Sequence, residues 1–293
     1  MLYKISYAFS LLPLRLLYLI SDVCYYLLYY VVKYRRKTVS ENIKNSFTSL
    51  NKKERLIIEK KFYRNFCDNF IETLKLLSIS KEELHSRISV DYSELINIIS
   101  QKKNCHVYLG HQFNWEWANL HISSVLEDNV IVAYKPIKNK KFNSLMKQMR
   151  SRFGSKLVSS KKLKREIEKF KDNPHVLVLV ADQTPKISIK SFWTNFLNQK
   201  TAFLSGAELY TASNKTTSFF ANIIRLDRGY YKFVITPLFD FSEQYQVGLI
   251  TQFYAKKLEE SIYKNPENYL WSHRRWKRKY KDEYKRRWIG NLS

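Results

Sequence analysis

Between residues 104 and 181 the hydrophobic period of the chain changes, and no other feature bounds the fold as tightly. Runs of β-type residues at 104–109 (NCHVYL), 129–134 (NVIVAY) and 175–181 (HVLVLVA) are separated by helical patterns near 114–126, 139–152 and 161–171. Strand then helix, repeated, requires crossover connections, and these build parallel sheets. The expectation is an α/β fold with a mostly parallel central sheet flanked by helices. Before it, residues 38–80 space Ile57, Phe62, Phe66, Phe70, Leu74 and Leu77 as two or more amphipathic helices. After it, 216–225 and 230–236 flank Asp227, Arg228 and Gly229, a hairpin with Gly229 at the positive-φ position. Further helical patterns cover about 243–264 and begin again near Pro266.

The segment from Tyr7 to Val32 is apolar and rich in tyrosine, but Pro13, Arg15 and Asp22 interrupt it. It has the length of a membrane span, and it lacks the small-residue cleavage site of a signal peptide. The reading is an uncleaved anchor over residues 1–33, either crossing the bilayer or lying in its interface, with a buried amino-terminal helix as the alternative. Lys33, Arg35, Arg36 and Lys37 follow directly, which places residues 34–293 on the cytoplasmic side.

Six glycines, none clustered, exclude a dinucleotide fingerprint and a Walker A loop. The three cysteines, Cys24, Cys67 and Cys105, are too far apart for a zinc motif. No metal and no cofactor is predicted. The chemistry concentrates at Leu109-Gly110-His111-Gln112-Phe113-Asn114-Trp115-Glu116. A strand ends at Gly110, where the chain can turn tightly, so His111 emerges at the carboxyl edge of the sheet, where open α/β folds place ligands. Five helical residues turn through about 500°, so His111 and Glu116 meet only if the helix starts later, with Asn114 as its N-cap. His111 is then a general base and Glu116 the carboxylate that fixes its tautomer. Asp182 and Gln183 end another apolar strand and either position a substrate or cap the turn before Pro185.

These residues resemble the H-x4-D/E block of glycerolipid-type acyltransferases, and in particular the late acyltransferases of lipid A biosynthesis. The resemblance extends through Tyr34-Arg35-Arg36-Lys37-Thr38-Val39, Tyr134-Lys135-Pro136, Arg150 to Gly154, Ala181-Asp182-Gln183-Thr184-Pro185 and the tail from Pro266 to Lys277. It implies a glycerolipid acyltransferase-like fold and transfer of a fatty acyl group from an acyl carrier protein, or less often coenzyme A, to a hydroxyl of a lipid A precursor. It also implies residence at the cytoplasmic face of a bacterial inner membrane. Under it His111 is the base, Glu116 its partner, and the helix after Asn114 is available to developing negative charge. Lys135 and Arg152 become candidates for acceptor phosphates. Lys135 stands where the family commonly has Arg, which leaves other acceptors open, a lyso-phospholipid or an amino-acid-based lipid.

The net charge of +25 is uneven: residues 135–171 carry +12 and residues 273–288 carry +7. The second run interleaves Trp and Tyr with Lys and Arg, which suits nucleobases as well as a membrane surface. With a greasy amino terminus and no nucleic-acid module, the expected partners are anionic lipid and the acidic carrier, not nucleic acid. A basic surface protein without enzymatic activity is the rival class.

Overall fold

A computed structural model of the chain describes residues 2–170, 172–242 and 244–290. Lys171 and Glu243, which fall within expected helical stretches, and residues 291–293 lie outside the described residues. The amino-terminal layer contains α1 (Leu2–Ser10), α2 (Leu14–Tyr26), α3 (Arg36–Ser46) and α4 (Lys52–Lys75). Asn51 and Glu54 cap α4 reciprocally. Next come α5 (Lys81–Ser86), β1 (Ile88–Ser89), α6 (Ser93–Ser100), β2 (Cys105–Leu109), α7 (Trp115–Leu126), β3 (Val130–Tyr134) and α8 (Lys140–Arg150). Then follow β4 (Lys156–Ser159), α9 (Leu163–Ile167), β5 (Val176–Val180), β6 (Phe192–Phe196), β7 (Gln199–Phe203) and α10 (Ser205–Ser213). The hairpin β8 (Ser218–Asp227) and β9 (Tyr230–Phe239) precedes α11 (Leu249–Lys264).

Seven strands form one sheet in the order β1-β9-β8-β2-β5-β3-β4. All neighbours are parallel except the β8–β9 hairpin, whose turn has Gly229 at φ 77°. The β2 strand is buried at all five positions, as a strand covered on both faces must be. Alternate residues feed two cores. Tyr108, Ile131, Leu177 and Phe220 pack toward α4 and α11, while Val107, Leu109, Val132 and Val178 pack toward α7.

The stretch Leu14–Val31 is long and apolar enough to cross a membrane, and 33% of it is buried inside the protein. Leu14, Leu17, Tyr18, Ser21 and Tyr25 face α4. Polar bonds weld that face down: Ser21 Oγ donates to Asp68 (2.7 Å), Tyr18 OH to Glu72 (2.9 Å), and Arg228 pairs with Asp22 (2.7 Å) and Asp68 (2.6 Å). Leu16, Leu19, Val23, Tyr26 and Leu27 face outward and are exposed.

Two expectations change. The helix expected from Pro266 is a single 3₁₀ turn, Pro266–Asn268, followed by an irregular strap, and the basic tail holds only the 3₁₀ segment Asp282–Arg287. The tail's rings are also turned inward: Tyr284 stacks on fully buried Trp193 at 5.2 Å, and Tyr280 meets Trp288 at 5.5 Å. The chain does turn tightly after Gly110, where Gln112 N–H donates to the Gly110 carbonyl at 2.8 Å, and α11 also packs close, since a Cβ there would lie 2.5 Å from Leu258 Cδ1.

Candidate active site

Register explains the centre of the site. Strands β2 and β5 are parallel neighbours with Leu109 opposite Val180, so His111 and Asp182, each two residues past its strand, arrive side by side at the carboxyl edge. His111 Nδ1 lies 2.5 Å from Asp182 Oδ1, and the His111 backbone N–H donates to Asp182 Oδ2 at 3.2 Å. On the other side of the ring, Nε2 sits 3.0 Å from Gln183 Nε2. Together these contacts fit one tautomer: Nδ1–H donates to Asp182, and the Nε2 lone pair accepts from the Gln183 amide. Burial works to raise the Asp182 carboxyl, but the charge and hydrogen bonds of His111, with Arg275 behind it, outweigh burial and hold it at about 2. Asp182 is therefore ionised wherever the protein is folded near neutrality.

Glu116 does not reach the imidazole. Helix α7 begins at Trp115, which turns Glu116 toward α8, where Arg150 grips both carboxylate oxygens at 2.5 and 2.8 Å and the Trp115 indole donates at 3.0 Å. The Trp115 ring itself stands edge-on to His111, 5.1 Å between centroids. The expected His111–Glu116 pair is thus replaced by two separate pairs, His111 with Asp182 and Glu116 with Arg150. Asn114 is the N-cap, as its residue type suggested, but it is fully buried and touches no opening. Its side chain accepts from the N–H groups of Glu116 and Trp117 and donates to Glu72 at 3.1 Å. That removes the helix terminus as a free site for negative charge.

Arg152 also lies elsewhere. The α8 helix ends at Arg150, and two residues later the chain has turned so that Arg152 donates to the carbonyls of Leu76 and Ile79 beyond the end of α4. Arg150, two residues earlier, is the arginine that faces the site.

A cavity of about 630 Å³ opens beside His111. Lys135, Arg150, Gln183 and Glu116 line it with His111, so of the expected site residues it gathers His111, Glu116, Lys135 and Gln183. Its rim carries exposed Lys135, Lys161, Lys186 and Lys190. Its interior runs across one face of the sheet over Leu109, Ile223, Phe233 and Ile235, covered by Ile122 of α7 and ending at Tyr92. Tyr92 OH is fixed by His121 Nδ1 at 3.0 Å. One opening thus joins a cationic rim to an apolar arm, with the Nε2 lone pair between them, which suits a ligand with an anionic head and a long apolar chain.

The strap after α11 braces both halves of the site. Leu270 N–H donates to the His111 carbonyl at 3.1 Å, and Thr184 Oγ1 bonds to the carbonyls of Arg274 and Arg275 at 3.1 and 2.7 Å. Arg275 is buried with its guanidinium stacked over Phe203 at 4.6 Å. The importance of Asp182 to His111, and of Arg150, Arg275 and this strap, escaped the sequence reading. The one available signal was the equal offset of His111 and Asp182 from the ends of their strands.

Among the described residues no group of three or more His, Cys, Asp or Glu side chains is placed to hold a metal ion. No curated protein matches the chain. Residues 3–278, nearly the whole length, match the family described as bacterial lipid A biosynthesis acyltransferase. Matched over nearly its whole length, the chain belongs to the bacterial lipid A biosynthesis acyltransferase family and is an acyltransferase.

Proposed function

We propose that the protein moves a fatty acyl chain from the thioester of an acyl carrier protein to a hydroxyl of a lipid A precursor, without an acyl-enzyme. The observation that carries this reading is the His111 ring, fixed through Nδ1 by Asp182 and presenting Nε2 to an opening with a cationic rim and an apolar arm. His111 takes the proton of the acceptor hydroxyl as its oxygen bonds to the thioester carbon, Asp182 stabilises the imidazolium that forms, and the imidazolium gives the proton to the carrier thiolate as the C–S bond breaks. Glu116 acts by holding Arg150, whose guanidinium faces the charge that develops on the thioester oxygen. Lys135, Lys161, Lys186 and Lys190 receive acceptor phosphate, and the acceptor hydroxyl displaces the Gln183 amide from the Nε2 lone pair, leaving that amide to hold the hydroxyl oxygen. The apolar arm takes the acyl chain and Tyr92 ends it.

Helices α1 and α2 serve as an interfacial anchor over residues 1–33, with residues 34–293 as the acyltransferase domain at the cytoplasmic face of a bacterial inner membrane. A helix that keeps Tyr18, Ser21 and Asp22 bonded to the body has only its outer face left for lipid, which supports lying in the interface over crossing it.

The test is acyl transfer by purified full-length protein. His111→Ala lowers turnover at least a hundredfold, and Asp182→Asn by about a thousandfold through the wrong tautomer. Undiminished turnover in His111→Ala removes the assignment. Mass spectrometry of lipid extracts from a deletion strain identifies the acceptor as the lipid that lacks one acyl chain.

A further inference from the structure

Residues 274–287 present eight exposed Lys and Arg side chains against two acids, Asp282 and Glu283. Tyr280 and Tyr284 of the same run face inward onto Trp193, Trp276 is buried against Thr201, and Lys200 sits over the rings of Tyr280 and Trp288 at 4.7 and 5.9 Å. Among the described residues no large hydrophobic side chain is exposed between 274 and 287. The tail's own surface is charged, while the adjoining turn exposes Ile187 and Ile189. It is also part of the pocket rim. Arg278 Nη2 donates to the Lys186 carbonyl at 3.2 Å, Trp193 Nε1 donates to the Ser188 carbonyl at 3.1 Å, and the turn Ser188–Lys190 packs against Asp282–Arg287. Lys186, Ile187 and Lys190 of that turn line the opening.

We propose that this tail platform is where the acidic carrier protein docks, an acidic helix lying over Lys285, Arg286 and Arg287 while its acyl arm enters past Lys186 and Lys190. The proposal rests on the acyltransfer reading and adds the place of the donor. A bilayer surface favours aromatic and aliphatic side chains beside its cations, as α1 and α2 show, whereas a folded acidic partner needs only complementary charge. Exposed apolar side chains are dense along residues 3–32, whereas the tail itself has none and the turn beside it has Ile187 and Ile189, so it is the charge of the tail, complementary to an acidic protein, that favours a protein over a lipid partner here.

The experiment compares the wild-type chain with a triple variant, Lys285→Glu, Arg286→Glu and Arg287→Glu, and with a control of equal charge change on α4, Lys52→Glu, Lys53→Glu and Lys61→Glu. Binding is read with fluorescently labelled holo-acyl carrier protein, and transfer with matched acyl-carrier and acyl-coenzyme A donors. The tail variant weakens carrier binding at least tenfold and raises KM for the acyl-carrier donor at least tenfold. Its kcat, its KM for acyl-coenzyme A and its binding to phosphatidylglycerol vesicles stay within twofold, and the control changes none of these. The single variant Arg286→Glu shows a smaller loss in the same direction, which separates docking from misfolding. Unchanged carrier binding overturns the proposal. So does equal loss with both donors, or loss of vesicle binding in place of carrier binding, which would mark a lipid surface. A wild-type protein that transfers from neither donor counts against the acyltransfer reading, and the binding measurement still decides the docking site.

Discussion

The two ends of the chain both carry tyrosine, lysine and arginine, and fold them in opposite senses. At the amino end α1 and α2 leave a row of apolar and aromatic side chains outside, while Leu14, Leu17, Tyr18, Ser21 and Tyr25 pack on α4. At the carboxyl end the β6–β7 hairpin supplies Trp193 and Ala202, the tail's rings close over them, and the cations are left outside. Composition is therefore a poor guide to which face meets water. What decides is whether a nearby element offers a surface on which rings can stack. Both ends also reach the site, α2 through Tyr18, Glu72 and Asn114, and the tail through its contacts with His111 and Thr184.

The comparison predicts a descending series of effects. Charging the outer face of α2 with Leu19→Asp, Val23→Asp and Leu27→Asp removes burial worth about 1.5–3 kcal/mol per side chain, so vesicle partitioning measured by sedimentation falls at least a hundredfold. An equal loss from the tail triple variant would erase the distinction between the ends. Breaking the buried ionic tether comes next. Asp68 is 3% exposed and holds Ser21, Arg225 and Arg228, so Asp68→Ala costs about 3 kcal/mol in denaturant unfolding, as removal of one member of a buried network does. The exposed tail pair Lys281–Glu283, 3.7 Å apart, sets the other extreme, with Lys281→Ala changing stability by less than about 0.5 kcal/mol.

Acidity separates the ends between those limits. Burial is the main cause that pushes His273, which accepts from Thr184 N–H, down to about 4. A base with a lowered folded value contributes stability that is complete above its unfolded value, about 6.5, and is lost as pH falls from there through about 4. No histidine lies in residues 1–33. Hydrogen exchange at pH 5 should therefore accelerate about tenfold over residues 269–277 relative to pH 7.5, after correction for intrinsic rates, and leave 14–31 unchanged. Equal acceleration at both ends would assign the acid response to β2 and α7, where burial also lowers His106 and His121, to about 3 and about 4.

Much of this architecture is readable from the sequence because it rests on local period. The runs at 104–109, 129–134 and 175–181 became β2, β3 and β5 within a residue at each end, and Gly229 turned the hairpin as its position required. Strand β4 (KLVS) and the β6–β7 hairpin escaped, since short runs mixing polar and apolar residues carry no distinct period. The centre of the site was half readable. His111 could be placed at a strand end from local pattern. Its partner could not, because which strand lies beside β2 is a matter of tertiary order, and β5 is more than 60 residues downstream. Glu116 was nearer in sequence, and its capture by Arg150 depends on where α8 ends.

The apolar arm runs across the strands, from β2 over β8 and β9 to Tyr92, rather than along them. Each step between strands is about 4.8 Å. Two methylene groups of a fatty chain span roughly 2.5 Å by ordinary bond lengths, about half of that step. A channel graduated in strands is too coarse to tell chains two carbons apart. On the proposed reading, in which this arm holds the acyl chain, the fine division comes from side-chain volume around Tyr92, and chain length can shift by substitution there without any change to the sheet.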